Sequence, residues 1–217
     1  MQSSTNSLLC AHNLTCIRED RLLFEDLCFN ACPGDIIQIE GANGTGKTSL
    51  LRILAGLSSP FDGEVLYRGK SINEYDEEYK SDLLFLGHLA GVKGEMTSEE
   101  NLQFYLTMHG LDPKQAEEAL SKVNLYGFED ASAAHLSAGQ HRRIALARLW
   151  QSNSNIWILD EPFTAIDKSG VKNLEQLFLQ HADNGGVVIL TTHQDLSIPT
   201  TRYNKITLEH QLDHISL

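Results

Sequence analysis

The chain has 217 residues, with 17 Lys and Arg against 29 Asp and Glu and a formal net charge of −12. This acidic balance argues against partners held by charge, namely nucleic acid and anionic membrane surfaces. The longest apolar runs are far shorter than the roughly 20 residues of a membrane-spanning helix, and residues 1–6 lack a signal-peptide pattern. We therefore expect one soluble, cytosolic domain that binds no nucleic acid and is not itself inserted into a membrane.

The first strong pattern is a short Ile-rich segment that runs into a glycine-rich turn. Residues 35–40 have the composition of a buried strand. After the turn, apolar residues recur at helical spacing, with Gly56 near the expected stop: Leu50, Ile53, Leu54 and Leu57. The sequence therefore predicts a strand, a glycine loop and a helix in succession.

The glycine loop, residues 41–48, matches the phosphate-loop pattern G-x-x-x-x-G-K-[ST] in that strand-to-helix context. Glycines let several N–H groups face one phosphate, and the helix N-terminus adds about half a positive charge. The alternative is a structural turn that happens to hold a lysine. We predict an ATP site in which Lys47 reaches the β- and γ-phosphates and Thr48 binds Mg²⁺. Its binding residues are Gly41, Ala42, Asn43, Gly44, Thr45, Gly46, Lys47, Thr48 and Ser49.

The middle third shows helix signals and no convincing strand. Thr97 and Glu100 form a capping box, Pro113 opens a second helix, and a third helix is expected from near Ser137 to Trp150. Strand character returns at residues 156–160 and 187–192. The pattern predicts a single α/β domain whose core, about 1–87 and 155–217, is interrupted by a helical subdomain at about 88–154.

An acidic pair closes the first of these returning strands. Asp160 stands at the strand end, where a carboxylate would hold Mg²⁺, through water, beside the triphosphate. Glu161 follows at once and is placed to activate the attacking water. The alternative is an ordinary acidic strand end. His193 follows the next strand and could hydrogen-bond the γ-phosphate or the water, although a histidine there is often incidental.

Residues 136–140 (Leu-Ser-Ala-Gly-Gln) resemble the signature motif of ABC ATPases. The chain has the motif order of that family, with residues 164–167 as the D-loop and His193 as the switch histidine. The resemblance implies a P-loop NTPase core with a mostly parallel sheet, an N-terminal antiparallel part and an inserted helical subdomain. It also implies a homodimer that binds ATP between two copies, with contacts to the other copy's ATP from Ser137, Gly139, Gln140 and Asp167.

Within the family, the chain is similar to the ATP-binding subunits of bacterial complexes for c-type cytochrome biogenesis. Ala138 in place of a glycine that is usual in the signature fits that group, as does the short chain. The resemblance implies a peripheral subunit on the cytoplasmic side of the inner membrane with multispanning partners. ATP hydrolysis would drive haem export or haem release from a periplasmic chaperone. A nucleotide-gated assembly switch, or a different exported substrate, remains the alternative.

Two positions depart from the family pattern. Arg18 falls where an aromatic side chain usually stacks on adenine, and a guanidinium plane can stack on a base as well. Leu89 falls where a Gln usually touches Mg²⁺. We expect water to take that place, or His88 to turn in. Residues 88–96 are our expected docking segment for the membrane partners.

Overall fold

The structure, a computed structural model, describes residues 7–73, 76–198, 201 and 203–210. It groups the chain into two compact units. The first comprises Met1–Phe85, Ser154–Asp160 and Phe178–Leu217, and the second comprises Leu86–Asn153 and Glu161–Leu177. Within the described ranges, no helix is long and apolar enough to cross a membrane. The subdomain boundaries expected from the sequence stay a prediction.

Two sheets form the frame of the first unit. An antiparallel sheet has the order β2-β1-β4-β5 and comprises β1 (Leu9–Arg18), β2 (Arg21–Ala31), β4 (Asp62–Tyr67) and β5 (Lys70–Ser71). A second sheet has the order β6-β7-β8-β3-β9 and comprises β3 (Ile36–Gly41), β6 (Leu83–Leu86), β7 (Ile156–Asp160), β8 (Val187–Thr191) and β9 (Tyr203–Leu208). The pairs β7/β8, β8/β3 and β3/β9 are parallel. The expected α/β fold with an antiparallel part is confirmed.

Helix α1 (Lys47–Leu54) packs into the apolar core of this unit. Every residue of β7 and β8 is buried, as expected for central parallel strands. Side chains from both sheets contribute to the same core as Leu50, Leu51, Ile53 and Leu54. The helix ends just before Gly56, as expected, so Leu57 lies beyond it and is 51% exposed. A further short helix, α2 (Asp76–Ser81), precedes β6.

The second unit holds the expected helices. They are α3 (Ser98–Met108), α4 (Ala116–Lys122) and α5 (Ala138–Ala147), followed by α6 (Lys168–Asp183), which runs on into the first unit. Their small core is aliphatic and includes Leu102, Leu106, Leu120 and Ile144. The predicted capping box of α3 is present: Glu100 N donates to Thr97 Oγ1 over 3.1 Å, and Thr97 N donates to Glu100 Oε2 over 2.8 Å. Helix α5 ends at Ala147, and a 3₁₀ turn continues over Arg148–Gln151.

Candidate nucleotide site

The glycine loop has the backbone that its sequence predicts. Gly41, Gly44 and Gly46 have φ angles of 147°, 84° and 100°, which other residues rarely adopt. A Cβ atom on Gly41 would lie 2.5 Å from the Leu208 carbonyl oxygen and 2.7 Å from Thr45 Oγ1. Gly41 is therefore required both by its φ angle and by the close approach of β9.

Helix α1 begins directly after the loop without a side-chain cap. Its N-cap is Gly46, its first turn has no acidic residue, and among the described residues no side chain caps the helix end. The first N–H groups of a helix have no acceptor within the helix, and its dipole favours an anion at that end. This combination makes the loop and the start of α1 a site for a phosphate group.

Lys47 turns its ammonium group back over the loop. Lys47 Nζ donates to the carbonyl oxygens of Gly41 and Ala42, at 2.7 Å and 3.1 Å. Thr45 is buried, and its hydroxyl donates to the same Ala42 carbonyl over 3.0 Å. The positive charge of Lys47 is thus held at the concave face of the loop.

Asp160 links two strands and the phosphate-loop helix. Thr48 Oγ1 donates to Asp160 Oδ2 over 3.0 Å, and Thr191 Oγ1 donates to Asp160 Oδ1 over 2.8 Å. The carboxylate is only 4% exposed. Two oxygen groups that Mg²⁺ favours, a carboxylate and a hydroxyl, are therefore adjacent, as the sequence predicted for Asp160 and Thr48.

Thr48 and Asp160 supply two protein oxygens to which a metal ion could bind. The described part of the chain contains no group of three or more His, Cys, Asp or Glu side chains that could hold a metal ion. Mg²⁺ in nucleotide sites commonly takes one or two protein oxygens together with phosphate oxygens and water. The residues present therefore fit a magnesium ion that arrives with the nucleotide.

The register of the parallel sheet places His193 at the same edge. Asp160 on β7 and Ile39 on β3 both pair with Thr191 on β8. His193 follows two residues later and is exposed, while Thr192 Oγ1 accepts from Gln194 N over 3.0 Å. The carboxyl ends of three neighbouring strands thus carry the phosphate loop, the carboxylate and the histidine.

Arg18 ends β1 on the side of the phosphate-loop helix. It pairs with Arg21 across the hairpin turn. Burial raises the pKa of the nearby Cys16 thiol, whereas the Arg18 guanidinium and hydrogen bonds from Arg18 and Ser49 act in the opposite direction. Ser49 belongs to the first turn of α1, so a residue of the loop helix and Arg18 both act on this thiol. The predicted role of Arg18 toward the base stays a prediction.

The signature residues lie at the start of α5 in the second unit. Ser137 is the N-cap: Gln140 N donates to Ser137 Oγ over 3.3 Å, and Ser137 N donates to Gln140 Oε1 over 2.9 Å. A Cβ atom on Gly139 would lie 3.2 Å from the Ala165 carbonyl oxygen. Asp167 lies 3.9 Å from Arg143 Nη2. The signature turn and the predicted D-loop therefore contact each other within one chain.

Two further predicted positions lie in the second unit. Glu161 has a φ angle of 51°, which is uncommon for a residue with a side chain and is frequent at functional sites. Leu89 is 86% exposed. Its apolar side chain cannot coordinate a metal, and the expectation that water or His88 takes its place stays a prediction.

Sequence reasoning missed two side chains that organise the first unit. Thr191 binds the Asp160 carboxylate, and Gln38 is a buried amide in the central strand β3. The sequence held one signal for them: each is a polar residue within an otherwise apolar, buried strand. A buried polar group costs free energy unless it has a hydrogen-bond partner, so such residues indicate a specific contact.

Comparisons with known proteins agree on one family. A family profile described as "ABC transporter" matches residues 24–164. The chain is 62% identical to the cytochrome c biogenesis ATP-binding export protein CcmA of Shewanella sp. strain MR-4, over 96% of this chain and 97% of that one. It is 61% identical to the protein of the same name from Colwellia psychrerythraea, over 98% and 97%.

Solved structures support the same assignment. The dimeric ATP-binding cassette MJ0796, solved in a post-hydrolysis state with ADP and phosphate, matches with a TM-score of 0.76 and 25% identity. The match covers 86% of this chain and 88% of that one. The chain is therefore an ATPase of the ABC transporter family and belongs with the cytochrome c biogenesis ATP-binding export proteins.

Proposed function

We propose that the chain is the ATP-hydrolysing subunit of a bacterial export complex for c-type cytochrome biogenesis, with haem as the cargo that is exported or released from a periplasmic chaperone. The observation that carries the ATPase part is the contact of Thr48 and Thr191 with the buried Asp160 beside the phosphate loop. The similarity to the cytochrome c biogenesis ATP-binding export proteins supports the export and cytochrome c part.

ATP binding begins with the loop backbone and the start of α1. Their N–H groups and the Lys47 ammonium surround the phosphates with positive partial and full charges. Because these donors are in place before the reaction, they stabilise the charge that develops on the γ-phosphoryl oxygens without reorganisation. Arg18 is proposed to stack on the base.

Thr48 and Asp160 are proposed to hold Mg²⁺, Asp160 through water. The ion would neutralise negative charge on the β- and γ-phosphate oxygens. Thr191 orients the Asp160 carboxylate from the opposite oxygen. This second hydrogen bond keeps the carboxylate from rotating away from Thr48.

Glu161 is proposed as the general base and His193 as the residue that orients the γ-phosphate. Glu161 accepts a proton from water as the water oxygen attacks the γ-phosphorus. The bond from that phosphorus to the bridging oxygen of ADP breaks, and ADP leaves with phosphate. A positioned base of this kind contributes about 10²- to 10⁴-fold to the rate.

Hydrolysis is proposed to need two copies of the chain. The structurally similar cassette MJ0796 is a dimer with bound ADP and phosphate. Ser137, Gly139, Gln140 and Asp167 of one copy would act at the ATP held by the other. Multispanning membrane subunits, contacted through residues 88–96, would transmit the closure of this dimer, so the chain would lie peripherally on the cytoplasmic side of the inner membrane.

The test has two parts. The complete complex, purified with its membrane subunits and placed in vesicles, should hydrolyse ATP only with Mg²⁺ and should move haem only while it hydrolyses ATP. Lys47→Ala should abolish both activities, whereas Lys122→Ala, which alters an exposed ion pair with Glu118, should retain them. Hydrolysis without haem movement would favour an assembly switch or another cargo. Normal hydrolysis by Lys47→Ala would refute the ATP site.

A further inference from the structure

We infer that Gln38 is a positioning residue for ATP hydrolysis, because its side chain fixes the backbone that carries His193 to the strand that carries the phosphate loop. The inference rests on the proposed role of His193. Gln38 lies in β3, three residues before Gly41, and its side chain is only 3% exposed.

Each donor of the Gln38 amide has a partner. Gln38 Nε2 donates to the Thr192 carbonyl oxygen over 3.2 Å and to Glu40 Oε1 over 3.0 Å. The amide oxygen accepts a hydrogen bond from the Tyr203 hydroxyl. The orientation of the amide is therefore fixed from three sides, and its N–H group is directed at the residue that directly precedes His193.

The neighbouring strand β9 supports this orientation. Tyr203 and Lys205 both lie on β9, and Lys205 Nζ contacts Glu40 Oε1 at 2.6 Å. The Asp195 carboxylate acts on both groups: it contributes to raising the pKa of Tyr203, where burial is the main cause, and of Lys205, where the Glu40 hydrogen bond is the main cause. The hydrogen bond from Gln38 thus holds the turn after β8 at Thr192.

A buried amide in a central parallel strand needs an explanation. Its two neighbours in the strand, Ile37 and Ile39, are buried and aliphatic, and an apolar residue would avoid the cost of burying polar atoms. A side chain that only filled space would not need two directed donors. Through its contact with Thr192, the amide fixes the distance between the phosphate loop and His193.

The expected effect is on the chemical step. The substitution Gln38→Met keeps the length of the side chain and removes both donors. A small displacement of a catalytic group lowers the rate while ground-state binding persists. We expect kcat for ATP hydrolysis to fall about 10-fold or more, with KM and ATP affinity within about twofold of the natural protein.

A double-mutant cycle with His193→Ala tests whether Gln38 acts through His193. His193→Ala should itself lower kcat, and adding Gln38→Met should lower it no further. The inference would be overturned if the fold-losses in kcat of the two substitutions multiplied in the double variant. It would also be overturned if Gln38→Met had the same kcat as the natural protein. If Gln38→Met does not fold, Tyr203→Phe removes one support of the amide, and a several-fold loss of kcat that disappears in the His193→Ala background would support the same conclusion.

Tyr67→Phe is the matched control. It removes a hydroxyl hydrogen bond to Asp82 that lies outside this network and leaves the Gln38 contact with Thr192, so kcat should stay near the natural value. A loss equal to that of Gln38→Met would mean that any lost hydrogen bond in this unit slows hydrolysis and would overturn the inference. Failure of the proposed ATP site would be seen separately, as normal hydrolysis by Lys47→Ala.

Discussion

The N-termini of α1 and α5 are both predicted to meet phosphate, but they differ in what satisfies their first turn. Helix α1 begins at Gly46 and has no side-chain cap among the described residues. Helix α5 begins at Ser137, whose side chain forms a complete capping box with Gln140. The first end depends on a ligand for its hydrogen bonds, and the second end is already satisfied within its own chain.

This difference indicates that ATP binding and ATP hydrolysis have different requirements. The uncapped N-terminus of α1, with Lys47 and Asp160 near it, provides the groups that bind ATP within one unit of one chain. In the proposed dimer, the capped N-terminus of α5 would exchange these internal hydrogen bonds for contacts with a phosphate held by the second copy. We therefore expect a lone chain to bind ATP, and a dimer to hydrolyse it.

The largest expected effect comes from Glu161→Gln, which removes the proposed base and keeps the size of the side chain. Hydrolysis should fall by about 10²- to 10⁴-fold while ATP affinity persists. Because ATP is then not consumed, the variant should form a stable dimer with ATP, seen by sedimentation, and the natural chain should not. Equal turnover by Glu161→Gln and the natural chain would contradict the role of Glu161 as the base. A Glu161→Gln variant that stays monomeric with ATP bound would contradict the proposal that the N-terminus of α5 meets the ATP of a second copy.

Ser137→Ala tests the capped end directly. A lost hydrogen bond to a charged group should slow hydrolysis by about 10- to 100-fold with unchanged ATP affinity. The matched control is Thr97→Ala, which removes the equivalent capping box of α3. Each substitution should lower the free energy of unfolding by about 1 kcal/mol. Only Ser137→Ala should slow ATP hydrolysis, measured as the rate at which phosphate is produced. Equal slowing by both would show that helix stability, and not phosphate contact, is responsible.

Two alanine substitutions in the phosphate loop test the uncapped N-terminus of α1. A Cβ atom on Gly41 would collide with backbone at Leu208, whereas one on Gly44 meets no atom within 4 Å. Gly44→Ala should cost about 1–2 kcal/mol from its left-handed backbone alone. Gly41→Ala should cost more and also lose ATP binding, as measured by thermal unfolding and titration of an ATP analogue. Equal losses would contradict the role assigned to β9.

The smallest effect concerns the pH dependence of stability in the first unit. His181 stacks on Trp157 with ring centroids 3.7 Å apart, and burial lowers the pKa of His181 below its ordinary value of 6.5. The unfolded chain therefore binds the proton first, so this stabilisation is present above pH 6.5 and is lost as the pH falls below it.

The measurement is thermal unfolding between pH 7.5 and about 5 for the natural chain and for His181→Phe, which keeps an aromatic ring beside Trp157. The variant should lose less stability over this range than the natural chain. The same change of stability with pH in both proteins would contradict the conclusion that burial lowers the pKa of His181. ATP affinity should be the same in both proteins.

Much of the fold was predictable because local signals and global packing agree. The phosphate loop, the capping box at Thr97 and the buried strands each follow from spacing and residue type, and the structure confirms them. The adjacency of Thr48 and Asp160 was predictable because both follow buried parallel strands whose ends meet at one edge.

Other features depend on contacts that no local pattern records. Two of the three partners of Gln38, Thr192 and Tyr203, lie 154 and 165 residues away in the chain. The roles of Arg18, Leu89 and the signature residues depend on a nucleotide, a second copy or a membrane partner, so neither one sequence nor one chain tests them.

The strand β3 has consequences for the order in which the new chain matures during synthesis. It is flanked by β8 and β9, and the loop that follows it is packed against the Leu208 carbonyl. Non-local pairing must wait until the later partner has left the ribosome. The phosphate loop, although it lies well before β9 in the sequence, is therefore expected to gain its final shape, and with it nucleotide affinity, only after β9 has been synthesised.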